Sequence, residues 1–485
     1  MLEENPRCFT PFLKQCFAAL GVSLHMAQLG LVMGLPATLL PRLRAPGAAF
    51  AVDDHSGSWV AAVPGFTFLL GNLATPSIMG RFGRKVANLV SLALFAAAWT
   101  GIVLSSSVAA LLLARSLQGV GIGMTSIISP VLLGEYTSPR NRGAFLMSLS
   151  VAISVGVLFI HTVGLHIHWT TVAIICVVIT VVDVVIVALS PESPSWLADK
   201  GRYDECKENF RWLRGDLEEE ELEKMINFDM VKRKGSEIGD SDSESCGARL
   251  NKSFVYFAHT IRKPEFYKPI IIMMHIYTIA HWSGVNVFAA YAVDLVHLVI
   301  GDGANTSIIL VSFDAQRIIS NALAMIIIRH IKRKTMLILS VSLNLAAMVA
   351  IAGYLYAKTH GLLPFDSIYI GLVLAHIHMF SIAIGALPIS YILAGELFPL
   401  EYKGLAGGIS AVTVSFNMFT AVKVTPFLLK SVGLHGTYVL CCGIIIYGLI
   451  VSCLMLPETK DRMLQDIEED FRGKKNEIDV ERTRL

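Results

Sequence analysis

Twelve stretches of this chain are apolar for about the length that a membrane demands. A bilayer core of about 30 Å takes about 20 residues of helix. The qualifying stretches are 16–40, 58–79, 86–106, 108–133, 143–166, 169–189, 269–299, 305–328, 335–357, 368–394, 403–429 and 434–456. Backbone groups in hydrocarbon must pair within their own segment or within a closed barrel, so runs of this length predict helices. Composition agrees. Of 485 residues 54% are hydrophobic and 16% charged, against roughly 25% charged in a soluble chain.

Two polar segments interrupt the pattern. The expected organisation is an N-terminal segment 1–15, six helices over 16–189, a middle loop 190–268, six helices over 269–456, and a tail 457–485. Within the loop, 204–210 and 217–225 read as helical. KRKGSEIGDSDSESCG, from Lys232, has the composition of a disordered linker. Short loops rich in Lys and Arg (Arg81, Arg84 and Lys85; Arg140 and Arg142; Lys332 to Lys334) alternate with loops mostly poor in them. The positive-inside rule then puts both termini and the middle loop in the cytoplasm. Asn305, in the sequon Asn305-Thr306-Ser307, falls outside as a candidate glycosylation site.

Charge and motif content exclude other classes. A net charge of +2 gives no footprint for nucleic acid. The eight Cys show no metal spacing, and no nucleophile–base pair is visible. The expectation is therefore no enzyme, cofactor or metal. The partners are the lipid bilayer and a small solute, with a monomer as the expected state.

The chain repeats itself. GEYTSPRNRG (134–143) is echoed by GELFPLEYKG (395–404). Glu135 and Glu396 are 261 positions apart (396 − 135), as are Arg142 and Lys403 (403 − 142). GRFGRK at 80–85 is echoed by HIKRK at 330–334, which matches Arg84 with Arg333. PESPSW at Pro191 is echoed by PETK at Pro457. Ordered motif pairs at near-constant offset predict two parallel six-helix repeats, with a solute site near mid-membrane. Arg84, Glu135, Arg142, Arg333, Glu396 and Lys403 lie at one end of these repeats. As acid–base clusters they can clasp the halves and gate access.

These motifs, with RSLQGVGIG (115–123) and SGVN (283–286), resemble the sugar porter family of the major facilitator superfamily. The likeness runs in order from Ser58 to Lys460 and is greatest to insect facilitated trehalose transporter-like proteins. It implies the major facilitator fold and facilitated, uniport movement of a hexose or a trehalose-like disaccharide across the plasma membrane. It also implies substrate contacts. The helix 7 patch IAHWSGVN (279–286) occupies the family's sugar site, but Ala280 and His281 stand where the family has two glutamines. Trp282 and Asn286 complete that patch. The family's helix 5 glutamine falls at Ser150, its helix 8 amide at or near Arg317, its helix 10 tryptophan at Tyr391 and its helix 11 tryptophan at Met418. Only Asn286 is retained. In the second half the acid that opens the helix 8–9 motif is replaced by Arg329 and its glycine by Lys332.

The losses have a physical cost. Three missing amides at about 1 kcal/mol each weaken sugar binding roughly a hundredfold. His281 can replace one, since a neutral imidazole both donates and accepts. Arg317 follows Asp314 by three positions, which puts both on one helix face as a pair or as an anion site. Asp183 and Lys423 read as packing or vestibule groups, and His161, His376 and His378 as satisfied helix histidines. Helix 1 holds His25 and Gln28 but no acid, which favours uniport over proton coupling. The alternatives are a drifted porter for a non-sugar, possibly anionic, solute and a receptor-like protein that binds without cycling.

Overall fold

The computed structural model describes residues 10–215, 218–237, 260–301, 305–363, 367–398, 403–460, 462 and 464–472. Among these there are helices and no strands. Six long helices come first: α1 (Pro11–Arg44), α2 (Asp54–Phe82), α3 (Arg84–Val103), α4 (Val108–Tyr136), α5 (Pro139–His166) and α6 (Trp169–Leu189). Three shorter ones fill the middle segment: α7 (Pro194–Asp199), α8 (Tyr203–Arg214) and α9 (Glu219–Glu237). The second series is α10 (Pro264–Ala280), α11 (Asn286–Val299), α12 (Thr306–His330), α13 (Arg333–Thr359), α14 (Ile368–Ser381), α15 (Leu387–Leu397), α16 (Lys403–Ser431) and α17 (Gly433–Met455). A short α18 (Leu464–Arg472) closes the described chain. Five-residue π turns, His281–Val285 and Ile382–Ala386, join α10 to α11 and α14 to α15, and in the first of them the chain leaves helical geometry at Gly284.

Twelve spans are long and apolar enough to cross a membrane, as the apolar stretches predict. Side-chain placement explains why lipid is the solvent. On α6, Ile174, Val178, Val181 and Val185 form an exposed stripe, while Thr180 and Asp183 on the opposite face are fully buried. A soluble helix would turn the other way, with its polar face outward. Polar groups here are kept inside, where Thr180 donates to Cys176 O and accepts from Gln28 Nε2.

The chain divides into two compact units, and the division cuts through α1 and α2. One unit holds Met1–Val32 and Thr67–Ser243; the other holds Met33–Phe66 and Glu244–Leu485. In the first unit, α1, α3, α4 and α6 meet around Phe95 and Trp99, both fully buried. Polar contacts thread this core. Trp99 Nε1 donates to Gln28 Oε1 at 3.0 Å, and Gln28 Nε2 donates to Thr180 Oγ1 at 2.9 Å. His25 Nε2 lies 2.8 Å from both Ser91 Oγ and Thr125 Oγ1.

In the second unit, the segment 33–66 packs with α11 and α16. Arg44 lies 3.4 Å from both Asp54 and Asp294. Lys430 pairs with Asp54, Lys423 Nζ donates to Ser58 Oγ at 2.6 Å, and Ser415 Oγ donates to Gly65 O at 2.6 Å. Lys423 is therefore tied to the start of α2.

The described part of the middle segment folds into helices, including over 204–210 and most of 217–225. Trp196, Leu197, Cys206, Phe210, Leu222 and Ile226 form a small core of their own. Helix α9 continues to Glu237, into the stretch expected to be a disordered linker from Lys232. The rest of that stretch, from 238, lies outside the described residues.

Candidate functional site

The repeated motifs build the same cluster twice. In the first unit, Arg84 Nε and Nη2 both engage the Glu135 carboxylate, at 3.1 and 2.9 Å. The Glu192 carboxylate of PESPSW accepts from the backbone N–H groups of Arg84 and Lys85, at 3.0 and 3.1 Å, and so caps α3. In the second unit, Arg333 Nε and Nη2 lie 3.3 and 3.2 Å from Glu396 Oε1. The Glu458 carboxylate of PETK caps α13 through the N–H groups of Arg333 and Lys334, at 2.8 and 3.3 Å. A carboxylate at a helix N-terminus fills orphan donors and meets the positive end of the helix dipole.

Gly83, inside GRFGRK, has φ +105°, and a Cβ there would sit 2.2 Å from Glu192 Oε2. Glycine is required for the carboxylate to come that close. Burial raises the Glu192 pKa above its ordinary value, against the pull of three backbone donors and Arg84.

Both Arg–Glu pairs close within one unit. The clasp expected between halves is, for these four residues, a staple inside each. The second staple survives the changes at Arg329 and Lys332. Arg142 is drawn into the middle segment, 3.9 Å from Glu221 of α9. The same α9 is held by Arg214, which contacts Glu218 and Glu221 and donates to Thr137 O at 3.0 Å. Lys403 opens α16, but its side chain, like that of Arg329, lies outside the described residues.

The helix 7 patch is where the seventh span breaks. Gly284 has φ +105° and ψ −4°, which takes the chain out of helical geometry. The π turn winds more loosely than an α-helix, so residues five apart come onto one face. His281 Nδ1 and Asn286 Nδ2 accordingly lie 2.6 Å apart. Asn286 Nδ2 donates and His281 Nδ1 accepts, so a neutral imidazole keeps its proton on Nε2. That leaves one donor, His281 Nε2–H, and one acceptor, Asn286 Oδ1, not used in the contact between them. These are the two kinds of group that a carboxamide carries.

The other expected contacts separate into groups. Trp282 turns away from that pair in its bonding: its Nε1 donates to Asn417 Oδ1 on α16 at 3.0 Å. Its ring lines a cavity of about 40 Å³ shared with Gly284, Phe288, His378, Thr437 and Tyr438. Arg317 on α12 stands within electrostatic reach of Asp314 and of Tyr391 on α15. Tyr391 is 59% exposed, whereas Met418 on α16 is buried. Ser150 is half-buried on α5, in the first unit. Asn305 is exposed and caps α12 by accepting from the Ile308 N–H at 3.3 Å.

Two residues of this region were not legible as site residues: Asn417, the partner of Trp282, and His378, whose Nε2 lies 3.0 Å from Ser283 O. The one signal for His378 was an imidazole within an apolar run, shared with His376 two positions earlier. No group of three or more His, Cys, Asp or Glu side chains with metal-binding geometry occurs among the described residues.

Twelve membrane-length spans, one of them broken in the middle, and a duplicated charge cluster describe a multi-pass membrane protein built from two repeats. The family model for Sugar (and other) transporter matches residues 23–471, and the chain belongs to that family. It is 26% identical over 95% of its length to the facilitated trehalose transporter Tret1 of Culex quinquefasciatus, covering 86% of that protein. It is 25% identical to Tret1 of Aedes aegypti, again over 95% of this chain but only 55% of that longer one. Among solved structures it is similar to the proton:xylose symporter XylE of E. coli bound to 6-bromo-6-deoxy-D-glucose, with a TM-score of 0.69 and 18% identity, covering 95% of this chain and 99% of that one. That likeness shows the major facilitator fold. These relatives are transporters, not enzymes.

Proposed function

We propose that the protein moves a sugar, a hexose or a trehalose-like disaccharide, across the plasma membrane by facilitated uniport with alternating access. The observation that carries this is the His281–Asn286 pair at the break of the seventh span. Its remaining donor, His281 Nε2–H, and acceptor, Asn286 Oδ1, are the two kinds of group that the missing glutamines would have supplied. Ser150, Arg317, Tyr391 and Met418 are the further substrate contacts in this proposal. Trp282 serves it by bracing the turn against Asn417 rather than by donating to sugar. Trehalose enters the proposal from the insect relatives, whose names say that they carry it.

Uniport is supported by span one. Between Lys14 and Arg42 it carries His25 and no carboxylate. His25 is bonded to the hydroxyls of Ser91 and Thr125. In the same proposal, both termini and the Arg84 and Arg333 clusters face the cytoplasm, and Asn305 faces outward for glycosylation. Each Arg–Glu staple stiffens the inner end of its half, so that the half moves as a body, and Arg142 and Lys403 act with them at the gate.

Purified protein in liposomes decides the mode. Sugar counterflow without an imposed proton gradient, at the same rate with and without one, supports uniport. Accumulation only when a proton gradient is imposed contradicts it.

A second reading has one observation in its favour: Arg317 stands within electrostatic reach of the exposed Tyr391. On that reading the cargo is anionic, and Arg317→Gln abolishes its uptake; survival of uptake removes the reading.

A further inference from the structure

A helix broken inside a membrane has to find partners for the backbone groups it releases. In the seventh span the Ser283 carbonyl, just before the non-helical Gly284, is met by His378 Nε2 at 3.0 Å. A carbonyl only accepts, so Nε2 carries the proton and donates. His378 lies on α14 of the tenth span, four residues before that span's own π turn at Ile382–Ala386. It is 2% exposed. A chain of hydrogen bonds meets its backbone carbonyl. Ser381 Oγ donates to His378 O at 2.7 Å, and Asn344 Nδ2 of α13 donates to Ser381 Oγ at 3.0 Å. The Tyr438 ring meets the imidazole edge-on at 5.6 Å between centroids. Gly284 leaves room for it: a Cβ there would sit 3.1 Å from His378 Cε1.

We propose that His378 is a positioning residue for the sugar site. By holding the Ser283 carbonyl, it fixes the turn that brings His281 against Asn286 and ties the break of span seven to the π turn of span ten. His378 does not touch the sugar. It sets the geometry of the two residues that do, which rests on the assignment of His281 and Asn286 as sugar contacts. The cavity of about 40 Å³ beside Trp282, Gly284 and His378 gives the turn space on one side. Without the latch, the turn relaxes into it.

The test is hydrogen–deuterium exchange of the purified full-length protein, comparing wild type with His378→Met and His378→Gln. Met keeps the approximate size and removes the donor. Gln keeps an N–H that reaches the same carbonyl. The expected result is exchange over residues 281–290 faster by roughly fivefold in His378→Met. His378→Gln returns it toward wild type, with no change in peptides from α3 or α4. Equal exchange in Met and Gln variants, or an even rise across α10 to α17, overturns the proposal. If the Met variant is not recovered as folded protein, His378→Asn, too short to reach Ser283, takes its place in the same comparison.

Sugar uptake supplies the functional arm. His378→Met is expected to raise KM several-fold with a smaller change in kcat, and His378→Gln to reverse it. Wild-type protein that carries no sugar refutes the sugar assignment alone, while the exchange result still decides the latch.

Discussion

Replacing Arg84 and Glu135 by glutamine, singly and together, and repeating the cycle with Arg333 and Glu396, asks whether the duplicated cluster is equally strong in both halves. The geometries differ. Arg84 places Nε and Nη2 on both oxygens of Glu135, with contacts of 2.9 to 3.3 Å. Arg333 reaches only one oxygen of Glu396, at 3.2 and 3.3 Å, and spends Nη1 on Ile328 O. Glu396 shares its other oxygen with Thr459, which donates at 2.6 Å. The four side chains are 16–26% exposed, so neither the fully buried nor the fully exposed limit applies. Charge-assisted hydrogen bonds contribute about 1.5–3 kcal/mol when shielded, and exposed pairs about 0.2–1 kcal/mol. Between these limits the coupling for Arg84–Glu135 is about 2 kcal/mol and that for Arg333–Glu396 about 1 kcal/mol. The assay is thermal unfolding of the purified variants, where coupling appears as non-additivity of the single losses. Additive losses in the first cycle, or a larger coupling in the second, would refute the reasoning from geometry.

Three further outcomes follow from the same structure. Gly284→Ala forces a side chain onto φ +105° and against His378, at a cost of about 1–3 kcal/mol. It should lower the thermal midpoint and sugar uptake together, with surface protein quantified alongside. Glu192 has a raised folded pKa, so its protonated form favours the fold. That contribution is present below the ordinary value of 4.5 and fades as pH rises through the folded pKa. The midpoint of wild type relative to Glu192→Gln should therefore move in favour of wild type as pH falls from 7 toward 5, and a flat difference contradicts this. Asp183→Asn should leave the pH profile of uptake unchanged if transport is uniport; a shifted profile would make that buried carboxylate a coupling group.

Some of this architecture is legible in the residues because it depends on local pattern. The apolar stretches locate twelve spans, since length and hydropathy alone decide what crosses a bilayer. The offsets of Glu135 from Glu396 and of Arg84 from Arg333 reveal the repeat. What those charges pair with is less legible. Their partners lie 51 and 63 positions away, and the capping roles of Glu192 and Glu458 depend on how α6 and α17 end. The helix 7 patch reads as polar, but its break does not. The turn's partners lie about a hundred or more residues later: His378 meets the Ser283 carbonyl, and Asn417 accepts from the Trp282 indole. Trp282 shows the same limit: its resemblance places it at the sugar, while its N–H is committed to Asn417. The linker stretch from Lys232 is described only to Glu237, where α9 runs into it despite its charged composition.

The central claim is that a rebuilt pair, His281 with Asn286, reads a sugar. Radiolabelled glucose and trehalose uptake in oocytes, wild type beside Asn286→Ala with both confirmed at the cell surface, tests it most directly. Saturable uptake of at least one sugar by wild type, lost in the variant, is the predicted result. Wild-type uptake that survives in Asn286→Ala, or no uptake of either sugar by wild type, would contradict it.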